Sequence, residues 1–157
     1  MATEHASNAS SNTLQQLGLG LLLLLFGTLL QMAATNILLA WIYSRTFERW
    51  SKTQSFRSAI ATMLSLFVLF STAVLQVMLW ALLYDLGGAL ESFSEALYFS
   101  LVTFTSLGYG DVTVGLDWRL VAGCQALSGL LLVGWSTALL VVVLQRIWAV
   151  RHQQYQN

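Results

Sequence analysis

The residues Thr105-Ser106-Leu107-Gly108-Tyr109-Gly110-Asp111 are the part of this chain whose types and spacing could do chemistry. Two glycines flank one tyrosine, so the backbone is free to take conformations with φ > 0. Consecutive carbonyls can then turn toward one axis, where their oxygens replace the water shell of a cation. The candidate ion-binding segment is Thr105, Ser106, Leu107, Gly108, Tyr109 and Gly110, with the Asp111 carboxylate at its mouth. No enzymatic constellation accompanies it. His5 and His152 lack metal-ligand spacing, and the single cysteine, Cys124, excludes an intrachain disulfide. No organic cofactor and no nucleic-acid partner is expected.

The elements that must position this segment follow from composition. The 157 residues are 57% hydrophobic and 9% charged, with mean hydropathy +0.69. A soluble domain carries roughly 25% charged residues, so this surface needs lipid to cover it. Apolar stretches over 17–43, 58–84 and 120–148 each exceed the ~20 residues that span a bilayer. The polar start, residues 1–16, contains no Lys or Arg. It is not the basic n-region of a cleavable signal, and a polar outer tail is expected there. The fold class is all-α, a membrane protein with three transmembrane helices.

Loop charges set the orientation. Arg45, Arg49, Lys52, Arg57, Arg146 and Arg151 share one side with Glu48. Arg119 lies on the other with Glu4, Asp85, Glu91, Glu95, Asp111 and Asp117. Basic residues favour the cytoplasmic side, which puts the N-terminus outside and the C-terminus inside a plasma membrane (the inner membrane of a bacterium). A fourth apolar segment, 92–104, is too short to span. It opens on Ser92-Phe93-Ser94-Glu95, a capping box in which the serine caps an amide and the glutamate reaches back. A half-length helix therefore enters from outside and the chain returns through Thr105–Asp111. Non-helical backbone at membrane depth survives only buried in protein or lining a watery path.

Over residues 58–148 the chain resembles the tetrameric potassium-channel family, with one pore loop per subunit. The resemblance implies an outer helix over 58–86, a re-entrant pore helix over 92–104, a selectivity filter over 105–111 and an inner helix over 119–148. It implies K+ held by the carbonyls of Ser106, Leu107, Gly108 and Tyr109 and by the Ser106 hydroxyl. One chain supplies one filter strand, so a homotetramer is implied. Gly129 and Gly134 fall at the family's common inner-helix glycine positions. Each is a candidate gating hinge, and close helix packing by a small residue is the other reading.

This sequence departs from the family at several of those positions. Ser106 stands where threonine is usual and Leu107 where valine is usual, which points to a variant filter. Tyr98 and Phe99 occupy the place of a tryptophan pair, and Val102 the place of a buried glutamate in some bacterial members. These three residues are the expected filter support. Phe99 cannot donate a hydrogen bond. Tyr98 can, and Asp111 is its expected acceptor. The usual Tyr-Pro after the filter aspartate is replaced by Val112-Thr113.

Residues 17–43 form an extra span relative to a two-helix pore, expected to brace the outer helix. Gln31, Asn36 and Gln76 are expected to face protein and hydrogen-bond between helices. No span carries arginine at every third position, which argues against a voltage sensor. Residues 44–57 read either as an interfacial helix presenting Arg45, Arg49 and Lys52 to anionic lipid or as an ordinary basic loop. Residues 149–157 form a short cytoplasmic tail. The expected function is passive, potassium-selective conduction. The alternatives are a weakly selective cation channel and a non-conducting regulatory subunit.

Overall fold

The computed structural model describes the backbone of residues 2–44 and 55–152, and most side chains between 14 and 149. Four α-helices are present among the described residues: α1 (Ala2–Ile42), α2 (Ser55–Leu86), α3 (Phe93–Phe104) and α4 (Arg119–His152), with a 3-10 turn at Leu116–Trp118 leading into α4. No strand occurs among them. Three segments are long and apolar enough to cross a membrane: Leu14–Ile42, Ala59–Leu86 and Leu116–Ala149. At 1.5 Å per residue each exceeds a ~30 Å hydrocarbon core, which tilt accommodates.

Several expected boundaries shift. The polar N-terminal stretch is helical from Ala2 and continuous with the first span. The outer helix starts at Ser55 and the inner helix runs on to His152. Both extensions place polar or basic turns beyond the apolar run. Arg45, Arg49 and Lys52 lie outside the described residues.

The chain divides into two compact units. The first comprises Met1–Leu29 and Val74–Leu132. Here α1 approaches α4 at Gly20, where an added Cβ would lie 2.8 Å from Cys124 Cβ and Sγ. α1 also approaches α2 at Gly27, where a Cβ would lie 2.8 Å from Gln76 Oε1. The second unit comprises Leu30–Ala73 and Val133–Asn157. Its apolar core joins Leu38 and Ile42 of α1, Ala61 and Leu69 of α2, and Leu139, Val143 and Ile147 of α4. Gln31 Nε2 donates to Ser136 Oγ at 3.1 Å, and Trp135 Nε1 donates to Thr35 Oγ1 at 3.1 Å. The Arg146 guanidinium sits 5.0 Å from the centre of the Tyr43 ring, a cation–π contact.

Helix α1 hydrogen-bonds to α4 through Gln31 and Thr35, and it meets α2 at Gly27, beside the Gln76 amide. Of Gln31, Asn36 and Gln76, all expected to bond between helices, only Gln31 does so. Gln76 is buried with neither amide atom partnered, because its neighbour Gly27 offers no polar side chain. Asn36 points outward and is exposed.

Candidate functional site

Helix α3 carries the site, and both its ends are defined by side chains or turns. At the start, Ser92 is extended (φ −148°, ψ 154°) and its Oγ accepts the Glu95 N–H at 3.3 Å. The reciprocal bond from the Glu95 carboxylate is not made, so half of the expected capping box is present. The buried face is Ala96, Phe99, Ser100, Val102 and Phe104.

The end of α3 is a Schellman arrangement. Leu107 N–H donates to Val102 O at 3.0 Å and Ser106 N–H donates to Thr103 O at 3.0 Å. The left-handed residue this motif needs is Ser106, with φ 58°. It is the one described non-glycine residue with positive φ. Gly108 N–H adds a second bond to Val102 O at 3.3 Å. Thr105 turns its hydroxyl back onto the helix, 2.8 Å from Leu101 O, so its side chain caps the helix.

From Ser106 onward φ alternates in sign. Ser106, Gly108 and Gly110 have φ of 58°, 57° and 78°, and Leu107 and Tyr109 between them do not share it. The N–H groups of Ser106, Leu107 and Gly108 all turn back to the end of α3, and alternation of left- and right-handed residues is the backbone pattern that can put successive carbonyls on the opposite side. A row of backbone oxygens so arranged can replace water around a cation. All residues from Thr105 to Asp111 are exposed in the single chain.

At the mouth, Tyr98 Oη donates to Asp111 Oδ2 at 2.6 Å, the bond expected from the sequence. That bond pushes the Tyr98 hydroxyl above its usual range. The same bond, with help from backbone N–H groups at Asp111 and Val112, holds the Asp111 carboxyl below the usual carboxylate range.

Behind the segment, Phe99 is buried edge-on against Tyr84, ring centres 5.1 Å apart at 83°. Tyr84 meets Trp118 in a second edge contact at 5.8 Å. Val102 is buried, and its carbonyl supports the segment directly, a backbone role its side chain does not advertise.

A buried hydrogen-bond chain, not anticipated from the sequence, holds α3 between α2 and α4. Tyr84 Oη donates to Gln125 Oε1 at 2.8 Å. Gln125 Nε2 donates to Ser100 Oγ at 2.7 Å and Ser100 O at 3.1 Å. Ser100 Oγ donates to Val77 O at 2.7 Å. Gln125 carried the same signal as Gln31 and Gln76, a polar amide inside an apolar span. Ser100 and Tyr84 gave no signal of their own.

The two inner-helix glycines differ. An added Cβ at Gly129 would collide with the Phe104 carbonyl at the end of α3, so packing is sufficient reason for that glycine. Gly134 is exposed with open space around it, as is Gly123. Helix α4 runs unbroken through all three.

Residues 62–146 match a protein family described as Ion channel. No curated protein and no solved structure matches the chain. The match covers more than half of the sequence and takes in α3, the alternating segment and most of α2 and α4. The chain therefore belongs to this two-helix-type ion-channel family, which includes potassium channels.

Proposed function

We propose that this protein is a potassium-selective channel whose filter is Ser106-Leu107-Gly108-Tyr109-Gly110. The observation that carries the reading is the alternation of φ at Ser106, Gly108 and Gly110. The carbonyls of Ser106, Leu107, Gly108 and Tyr109 replace the hydration shell of K+, and ions leave by mutual repulsion between adjacent sites. One chain contributes one strand, and all of that strand is exposed. Backbone of this kind cannot face lipid, so a homotetramer closes it around the axis. The C-terminal end of α3 directs its partial negative charge toward the permeant cation. Asp111, multiplied by the assembly, raises the local cation concentration at the mouth. The charge pattern of the loops supports an outer N-terminus and a cytoplasmic C-terminus, with Arg45, Arg49 and Lys52 available to anionic lipid.

Purified protein in liposomes is expected to carry K+ flux, and Gly110→Ala to abolish it. Alanine at φ 78° meets the left-handed penalty of roughly 1–2 kcal/mol. Absence of flux from the wild-type chain alone would favour the regulatory-subunit reading. Weak selectivity is favoured by one feature, the lack of a stiffening methyl at Ser106. Reversal potentials in mixed K+ and Na+ gradients separate it from the leading reading.

A further inference from the structure

A cleft of about 360 Å³ opens where α1 meets the start of α4, lined by Gln15, Gln16, Leu19, Asp117, Trp118 and Val121. It exists because of the extra helix. Gly20 lets α1 close onto Cys124 and Val121 directly beneath it. The volume lies within the range of small-molecule sites, roughly 300–1,000 Å³.

Beside the Gln15 amide, three groups of this cleft are electron-rich. Asp117 offers a carboxylate that no described residue pairs, although Arg119 is two positions on. Gln16 Oε1 is buried without a hydrogen-bond donor, which leaves an acceptor unsatisfied. Trp118 supplies an indole, fixed by its edge contact with Tyr84 and by its seat on Gly87. Carboxylate, amide oxygen and aromatic ring are all electron-rich, a set complementary to a cation with N–H groups to donate. Leu19 and Val121 give the remaining wall an apolar face. A bare metal ion does not fit one carboxylate beside an apolar wall, and no cluster of metal-ligating side chains exists among the described residues.

We propose that this cleft binds a primary alkylammonium group, its –NH3+ on Asp117 and Gln16 and its carbon chain along Leu19 and Val121. The ammonium replaces an unpaired buried acceptor with a charge-assisted hydrogen bond, and Trp118 adds a cation–π contact. Two sources present this chemistry, a free primary amine and the ethanolamine headgroup of a membrane lipid. The site is separate from the filter and does not depend on conduction.

The test uses the full chain in nanodiscs. In phosphatidylcholine discs, n-butylammonium is titrated by calorimetry, with n-butanol and tetramethylammonium as comparators. A charge-assisted bond of roughly 1.5–3 kcal/mol predicts that Asp117→Asn weakens butylammonium binding by roughly tenfold or more. Gln16→Leu is expected to weaken it too, and Asp111→Asn to leave it unchanged. In the second arm, discs contain equal ethanolamine and choline lipids, and native mass spectrometry counts the lipids retained. Ethanolamine lipid retained by wild type and lost in Asp117→Asn assigns the site to lipid, and saturable butylammonium binding assigns it to a free amine. The proposal is overturned if neither arm depends on Asp117, if tetramethylammonium binds as well as butylammonium, or if Asp111→Asn removes the binding.

Discussion

The Tyr98 hydroxyl donates to the Asp111 carboxylate at 2.6 Å, joining α3 to the residue that follows Gly110. It is the one side-chain bond that ties the outer end of the segment to α3 among the described residues. Tyr98→Phe removes the donor and leaves the ring. Macroscopic K+ current through Tyr98→Phe is expected to decay faster during a sustained pulse. Decay unchanged from wild type would show that the bond does not hold the mouth.

The same pair sets a pH dependence. The Asp111 pKa is lowered by the Tyr98 bond, so the carboxylate accepts at neutral pH and continues to do so below the usual value near 3.9. Its contribution is therefore present above that ordinary value and is lost only as pH falls through the depressed one. Decay rates are expected to be flat from neutral pH down to about 4, and to rise below it. In Tyr98→Phe the bond is absent at every pH, so decay should already be fast at neutral pH and should not rise further over the range in which Asp111 is protonated. A titration of decay rate for both proteins checks this.

Gly129 and Gly134 separate packing from hinge. Alanine at Gly129 forces its Cβ into the Phe104 carbonyl, and overpacking of this kind costs typically 1–3 kcal/mol. Gly129→Ala is expected to lower the unfolding temperature in detergent. Gly134→Ala meets open space and gains roughly 1 kcal/mol of helix propensity, so stability should hold or rise. A Gly129→Ala protein of wild-type stability but altered open probability would establish the hinge instead.

Gln125 lies at the centre of the chain Tyr84–Gln125–Ser100–Val77. Gln125→Leu leaves the Tyr84 hydroxyl without an acceptor and Ser100 without a donor. Each buried loss costs about 1–3 kcal/mol. Tyr84→Phe in the Gln125→Leu background should cost less than Tyr84→Phe alone, and a double-mutant cycle measures the difference.

What the sequence made legible was set by length and by strong local chemistry. Three apolar runs and a capped half-helix could be placed to within a few residues, because hydrophobic span and the Ser92 cap act locally. The Tyr98–Asp111 bond was legible because a phenol replaces a donor the family keeps there. The chain Tyr84–Gln125–Ser100 was not, since it needs three helices brought together and only Gln125, a polar amide inside an apolar span, stands out in its own segment. Asn36 and Gln76 show the converse. Polarity within a span predicts a preference for protein neighbours, but the partner depends on what the facing helix presents, and Gly27 presents nothing.

The Schellman turn that ends α3 has a consequence for phase. Ser106 closes the helix and is also the first of the alternating left-handed positions, so the two glycines are counted off from the helix end in steps of two. Helix α3 thereby acts as a parity setter. One residue inserted after Thr105 would keep the composition of the segment and still place leucine and tyrosine where only glycine sits without strain, whereas an insertion of two would restore the alternation. The length of the alternating segment is constrained to even increments by the turn that precedes it.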